Sequence, residues 1–327
     1  MMKYENIYEK PQDKFWFAGE KNCIEKATSF ILKARYYNNP KLMSIFLEDI
    51  TLAFVHNENK IINANCVKKP FILNRIVDTG DIPVNRLKHN LDKYGEVVAV
   101  ISTNKIPYRV DYDVSILDID SGKHAIAVIG YDQSYFYVLE WAKYIGNGYD
   151  ISPMNPSIGR IKIVDFEACL EEYFECMELV CDLGQHEAID SYEKSIIQKI
   201  KQNQNRKNEE KSYGLTALKE LYHLFREGTV TYELYTNENI MEVSNLIKAR
   251  EVIKYKLIGA INNEGEKESI EATINEDNKN WTKFMRLLMR RRSNDPARRY
   301  DNGEIGNLLN SIYEKETNIY KAIEQYL

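Results

Sequence analysis

The chain changes texture once, and that change restricts its architecture more than any other feature of its 327 residues. From Gly95 onward, short β-branched or aromatic runs (VVAVIS, HAIAVIG, SYFYVL, GRIKIV) are separated by turn-forming residues, the pattern of antiparallel strands. After about Gln185 these give way to long Glu- and Lys-rich stretches with apolar residues three and four apart, such as GLTALKELYHLF, NIMEVSNLIKAREVIKYKLIGAI and IGNLLNSIYEKETNIYKAIEQYL. The expected fold class is α+β, with a sheet-bearing domain over residues 1–185 and an all-helical domain over residues 186–327. The polar segment from Lys199 to Ser212 reads as a loose connector within the second part. Between Asn39 and about Asn90 short apolar runs are broken by Asn, Pro, Gly and Asp, and element boundaries stay open.

Charge and cysteine usage narrow the function classes. With 44 basic against 49 acidic side chains and a net charge of -5, the chain lacks the basic excess that general nucleic-acid binding requires. No window approaches eighteen uninterrupted apolar residues, and the opening MMKYENIYEKPQDK has no apolar export core, so a cytoplasmic location without a membrane partner is expected. The five cysteines are odd in number and form no CxxC pair, so they are expected to be thiols. Cys169, Cys176 and Cys181 have no His at zinc-ligand spacing and read as buried packing, and no metal is expected. Neither a P-loop nor a dinucleotide-binding glycine pattern occurs.

Three residues form the candidate catalytic set. Ile24, Ala27, Phe30, Ile31 and Ala34 lie on one face of a helix predicted from Asn22 to about Ala34, which puts Cys23 in its first turn. A thiol is a useful nucleophile only as thiolate, and a helix N-terminus and a nearby imidazole both favour that form. His124 opens the strand HAIAVIGYD and is the candidate imidazole. Glu140, at the end of the next run, is the candidate that orients the ring, because a hairpin returns it towards His124. Each residue alone has a plainer reading: a small buried hydrophobe, a strand-end histidine, a solvated charge. Their order along the chain carries more information than any member. Asn22 reads equally as an amide joining the Cys23 backbone N–H in an oxyanion hole or as a helix N-cap.

That order resembles the papain-like arrangement. The stretch HAIAVIGYDQSYFYVLEW is similar to the family's His, apolar strand ending in Gly-Tyr, short turn, and second strand carrying the orienting acid or amide. More narrowly, the layout resembles the butirosin biosynthesis protein H-like acyltransferases, which join a papain-like domain to a helical one. VVAVISTNKIPY looks like the strand ending in Leu-Pro-Tyr that precedes the His strand in that group, and GLTAL and NWTKFMRLL are similar to segments of its second domain. Two departures stand out. Glu140 replaces the usual Asp or Asn, so that either it folds back or Asp132 supplants it, and the glycine-rich stretch after the Cys helix is missing. The resemblance implies acyl transfer: Cys23 takes an acyl group from a carrier-protein thioester and passes it to a small amine, giving an amide. It implies no cofactor beyond the phosphopantetheine arm of the partner carrier protein, and a helical domain covering the site. The relatives it suggests are amide synthetases of thiotemplated antibiotic biosynthesis, such as the one in closthioamide formation.

A basic run adds a possible docking feature. From Trp281 to Tyr300 there are seven basic residues, among them Arg290, Arg291 and Arg292, against the one acid Asp295. An acidic acyl or peptidyl carrier protein would be steered by such a patch, though a solvated helix face with internal ion pairs is the plainer reading. Three other functions compete with acyl transfer: a papain-like peptidase or amidase using the same residues, a binding protein that keeps the fold with an inert thiol, and a purely structural role for every Cys.

Overall fold

The computed structural model describes residues 23–36, 42–63, 71–77, 82–102, 123–140, 157–181, 186–292 and 302–327. Besides isolated helical turns, the elements in chain order are α1 (Cys23–Tyr36), β1 (Leu52–Val55), β2 (Lys60–Asn63), β3 (Ile72–Arg75), α2 (Pro83–Tyr94), β4 (Val97–Ser102), β5 (Lys123–Tyr131), β6 (Tyr135–Glu140) and β7 (Ser157–Lys162). They continue as α3 (Ile163–Glu172), β8 (Phe174–Val180), α4 (His186–Asn203), β9 (Lys211–Tyr213), α5 (Gly214–Glu227), α6 (Asn237–Ala260), α7 (Glu264–Arg292) and α8 (Asn302–Tyr326). The chain is thus α+β, with two antiparallel sheets and a C-terminal helical region. Packing divides it into two compact units. One holds 23–36, 71–77, 82–102, 123–140 and 157–181, and the other holds 43–63, 186–292 and 302–327.

The first unit is built on a six-stranded sheet of order β3-β8-β4-β5-β6-β7, with every neighbouring pair antiparallel. VVAVIS reads as a continuous apolar run because all six residues of β4 are buried, as expected for a strand covered on both faces. Val97, Ala99 and Ile101 join Ile126, Val128 and Phe136 in a core shared with Leu87 and Leu91 of α2 and Phe166 and Leu170 of α3. Each such side chain contributes about 1.5–3 kcal/mol by leaving water. The alternate residues Val98, Val100, Ala125 and Ala127 are buried as well, and α1 packs on β4 and β5. Gly95 ends α2 at φ 82°, and its N–H bonds Leu91 O at 2.8 Å, which frees the chain to turn into β4.

Beyond Gly95, two strands escape the sequence pattern. β8 lies inside the sheet between β3 and β4, yet its sequence FECMELV interleaves Glu with apolar residues. The second is β9, which corrects the expectation of an all-helical second domain. The unit containing 186–292 also holds a three-stranded sheet of order β2-β1-β9, two of whose strands come from residues assigned by sequence to the first domain. The supposed connector is the end of α4, a turn and β9. Lys-Ser-Tyr has no strand signature of its own; its pairing with Ala53, Phe54 and Val55 makes it a strand.

The glycine of GLTAL has a physical explanation in this unit. Gly214 has φ 55°, and a Cβ there would stand 2.3 Å from Gln204 O, where the Leu215 N–H already bonds at 2.7 Å. Among the described residues no helix is long and apolar enough to cross a membrane.

Candidate active site

Cys23 is the first residue of α1, where backbone N–H groups have no partner within the helix. The helix is held firmly. Ala27, Phe30, Ile31 and Leu32 are buried, and Thr28 Oγ1 donates to Ile24 O at 2.7 Å. At the far end Arg35 pairs with Glu96 and donates to Leu179 O at 2.9 Å, while the Tyr36 hydroxyl donates to Cys181 O. These contacts tie the last turn of α1 to the ends of β8 and β4, so the position of Cys23 follows from the rigid length of the helix.

His124 is the second residue of β5, set by register opposite Ile101, with Ala125 opposite Val100. The structure brings it to Cys23. Burial pushes the thiol pKa up, but a hydrogen bond from His124, the Ala125 N–H, the charge on the imidazole and the Ile24 N–H each favour the thiolate. The donors prevail, and Cys23 lies below the ordinary thiol value. Both residues are partly buried.

Other predicted residues are placed differently. Glu140 is the last residue of β6; its backbone pairs with Ser157, one position beyond Leu139, which faces Ala127 on β5. Its side chain, and all of Asn22, lie outside the described residues, as does Cys66. Asp132 is excluded as the residue that orients His124. It follows the opposite end of β5, eight residues and roughly 26 Å along the strand from His124 at about 3.3 Å per residue. Its carboxylate instead accepts from the Ser134 and Tyr135 N–H groups and the Tyr137 hydroxyl, closing the β5–β6 hairpin.

No family model and no curated protein matches this chain. The groups assembled at the head of α1 are a sulfur lowered in pKa, an imidazole hydrogen-bonded to it, and backbone donors around them.

Arg290 lies exposed on the last turn of α7, in the other unit; Arg291 and Arg292 end that helix, and their side chains are outside the described residues. Lys283, earlier in the same run, is paired with Glu304 at 2.9 Å. Cys169 and Cys176 are buried in the core of the first unit, and Cys181 is partly buried. Among the described residues no group of three His, Cys, Asp or Glu side chains is placed to hold a metal ion. Sequence reasoning missed the Ala125 N–H, which no pattern of side chains could have marked. It also missed the Arg35–Glu96 tether, whose partners are sixty-one positions apart.

Proposed function

We propose that the protein is a cytoplasmic, cysteine-dependent acyltransferase that forms amides from carrier-bound thioesters in natural-product biosynthesis, on a papain-like fold. The observation that carries this reading is the Cys23 sulfur at the head of α1, hydrogen-bonded by His124 and below the ordinary thiol pKa despite burial. The resemblance of HAIAVIGYDQSYFYVLEW and its flanking segments to the butirosin biosynthesis protein H-like group supports the acyl-transfer branch.

In the first half-reaction the Cys23 thiolate attacks the thioester carbonyl; the carbon–sulfur bond to the carrier breaks and His124 protonates the departing phosphopantetheine thiol. In the second, an amine attacks the acyl-enzyme, His124 accepts its proton, and the amide leaves as Cys23 returns to thiolate. Thioester exchange is nearly balanced and amide formation runs downhill, so neither step needs ATP. The Ala125 and Ile24 N–H groups hold the thiolate before attack and after release. Glu140 is assigned to orient His124, Asn22 to the oxyanion, and Arg290 to Arg292 to an acidic carrier protein.

The deciding experiment is intact-mass analysis after incubation with a small acyl thioester, followed by an added amine. The expected result is one acyl adduct on the parent, none on Cys23→Ala, and release as amide when amine is supplied. Release only as free acid would assign a hydrolase. No adduct with any thioester, together with Cys23 alkylation no faster than that of glutathione, would remove the enzyme reading altogether.

A further inference from the structure

The interior of the second unit holds a charged cluster that the proposed chemistry does not use. Arg250 of α6, Asp277 of α7 and Glu316 of α8 are each completely buried. Glu316 is well supplied with donors: it pairs with Arg250, and its Oε1 accepts from Trp281 Nε1 at 3.0 Å. The guanidinium lies 4.9 Å from the centre of the Trp281 ring. Asp277 is poorly supplied. Its nearest cation contact is Arg250 Nε at 3.4 Å, and no donor makes a well-formed hydrogen bond to either of its oxygens; Glu316 Oε2 and the Nε and Nη1 groups of Arg250 also lack one.

One guanidinium therefore faces two carboxyl groups in a fully buried interior, and two ionised acids would leave a buried negative charge uncompensated. The surrounding groups do not relieve it. Lys254, on α6, is bonded to Glu251 and to Asn275. Tyr320 of α8, wholly buried beside Glu316 and Arg250, is neutral, and Asp49, beyond it, is held by the Thr51 N–H and Asn203. We infer that Asp277 carries a proton in the folded protein and donates it to Glu316, making the α6–α7–α8 junction a proton-dependent lock that loosens as the pH rises. Such a bond gives the Asp277 carboxyl a partner, and a side-chain hydrogen bond to Glu316 is among the contacts that raise its pKa. Burial first, then the charge of Glu316, pushes Asp277 well above the ordinary carboxyl range, and Arg250 and the Trp281 indole pull the other way without reversing it.

The sign follows from linkage. A carboxyl raised in the folded state stabilises fully below its unfolded pKa, about 3.9, and that contribution is lost as pH rises through the folded value. Across this window the unfolding constant gains a factor of about ten per pH unit from this proton alone. The test compares the full-length parent, Asp277→Asn and Glu316→Gln by infrared spectroscopy and by urea unfolding at successive pH values. Asn mimics the protonated acid, so Asp277→Asn is expected to fold, to lose one protonated-carboxyl band at neutral pH, and to shed up to tenfold per pH unit of the parent's pH dependence. Glu316→Gln is expected to be the more damaging change, because it removes the charge that Arg250 needs. Should Asp277→Asn fail to fold, the parent labelled with carbon-13 aspartate decides, through an isotope-shifted protonated-carboxyl band at neutral pH. The proposal is overturned by no such aspartate band, by an unchanged band and pH dependence in Asp277→Asn, or by loss of both in Glu316→Gln alone.

Discussion

Cys23 and Asp277 are both acids that burial pushes towards neutrality, and they end on opposite sides of their ordinary values. The difference lies in donors. At Cys23 a strand end and a helix start converge, so two backbone N–H groups and an imidazole reach one sulfur. At Asp277 three helices meet through their sides, where every backbone N–H is already spent on its own helix, and the one cation is shared with Glu316. Desolvation opposes the charged form at both sites, and the local supply of hydrogen-bond donors decides which side of the ordinary value each group ends on.

The largest expected effect would break the Cys23 side of this contrast. His124→Ala removes the strongest donor and leaves burial opposed by two amides, so Cys23 should rise in pKa and acyl transfer fall by about 10²- to 10⁴-fold. The check is the pH profile of alkylation: the parent's midpoint lies below that of a free thiol, and the variant's moves up. A thiol lowered on folding adds stability above its unfolded pKa that is lost as pH falls through the folded value, so His124→Ala should also flatten that limb of the stability profile. Next comes Arg250→Ala, which strands two buried carboxyls and is expected to cost about 3–5 kcal/mol in urea unfolding while sparing the alkylation rate of whatever remains folded. A smaller effect sharpens the role of the β5–β6 hairpin: Asp132→Ala should lower the melting temperature slightly and leave Cys23 alkylation unchanged, whereas a fall in alkylation would return Asp132 to the site. The smallest concerns Arg290→Glu, which should raise the apparent KM for an acidic carrier-bound donor only a few-fold and not change turnover of a small thioester.

Much of this was legible from residue order. The buried runs around Val97 and His124 declare themselves as strands because a central strand cannot hide its apolar character, and the spacing from Ile24 to Ile31 declares the helix that bears Cys23. β8 and β9 did not declare themselves. Phe174 to Val180 becomes a central strand because β3 and β4 leave a gap that only its backbone fills, and Lys211 to Tyr213 because β1 offers a free edge. The Arg250 cluster was equally silent, since Arg, Asp and Glu on amphipathic helices ordinarily mark a solvated face.

Sequence alone determined most of the segments that could be strand or helix and which side chains could act as nucleophile and base, because propensity, periodicity and functional-group chemistry are local properties. Tertiary structure alone decided that Cys23 and His124 meet, that Asp132 does not join them, and that residues 43–63 complete a sheet with β9. It also decided which acids lie buried. Each of those outcomes depends on contacts between positions far apart in the chain and on how many donors those contacts bring to one atom, and neither quantity is written in any single stretch of residues.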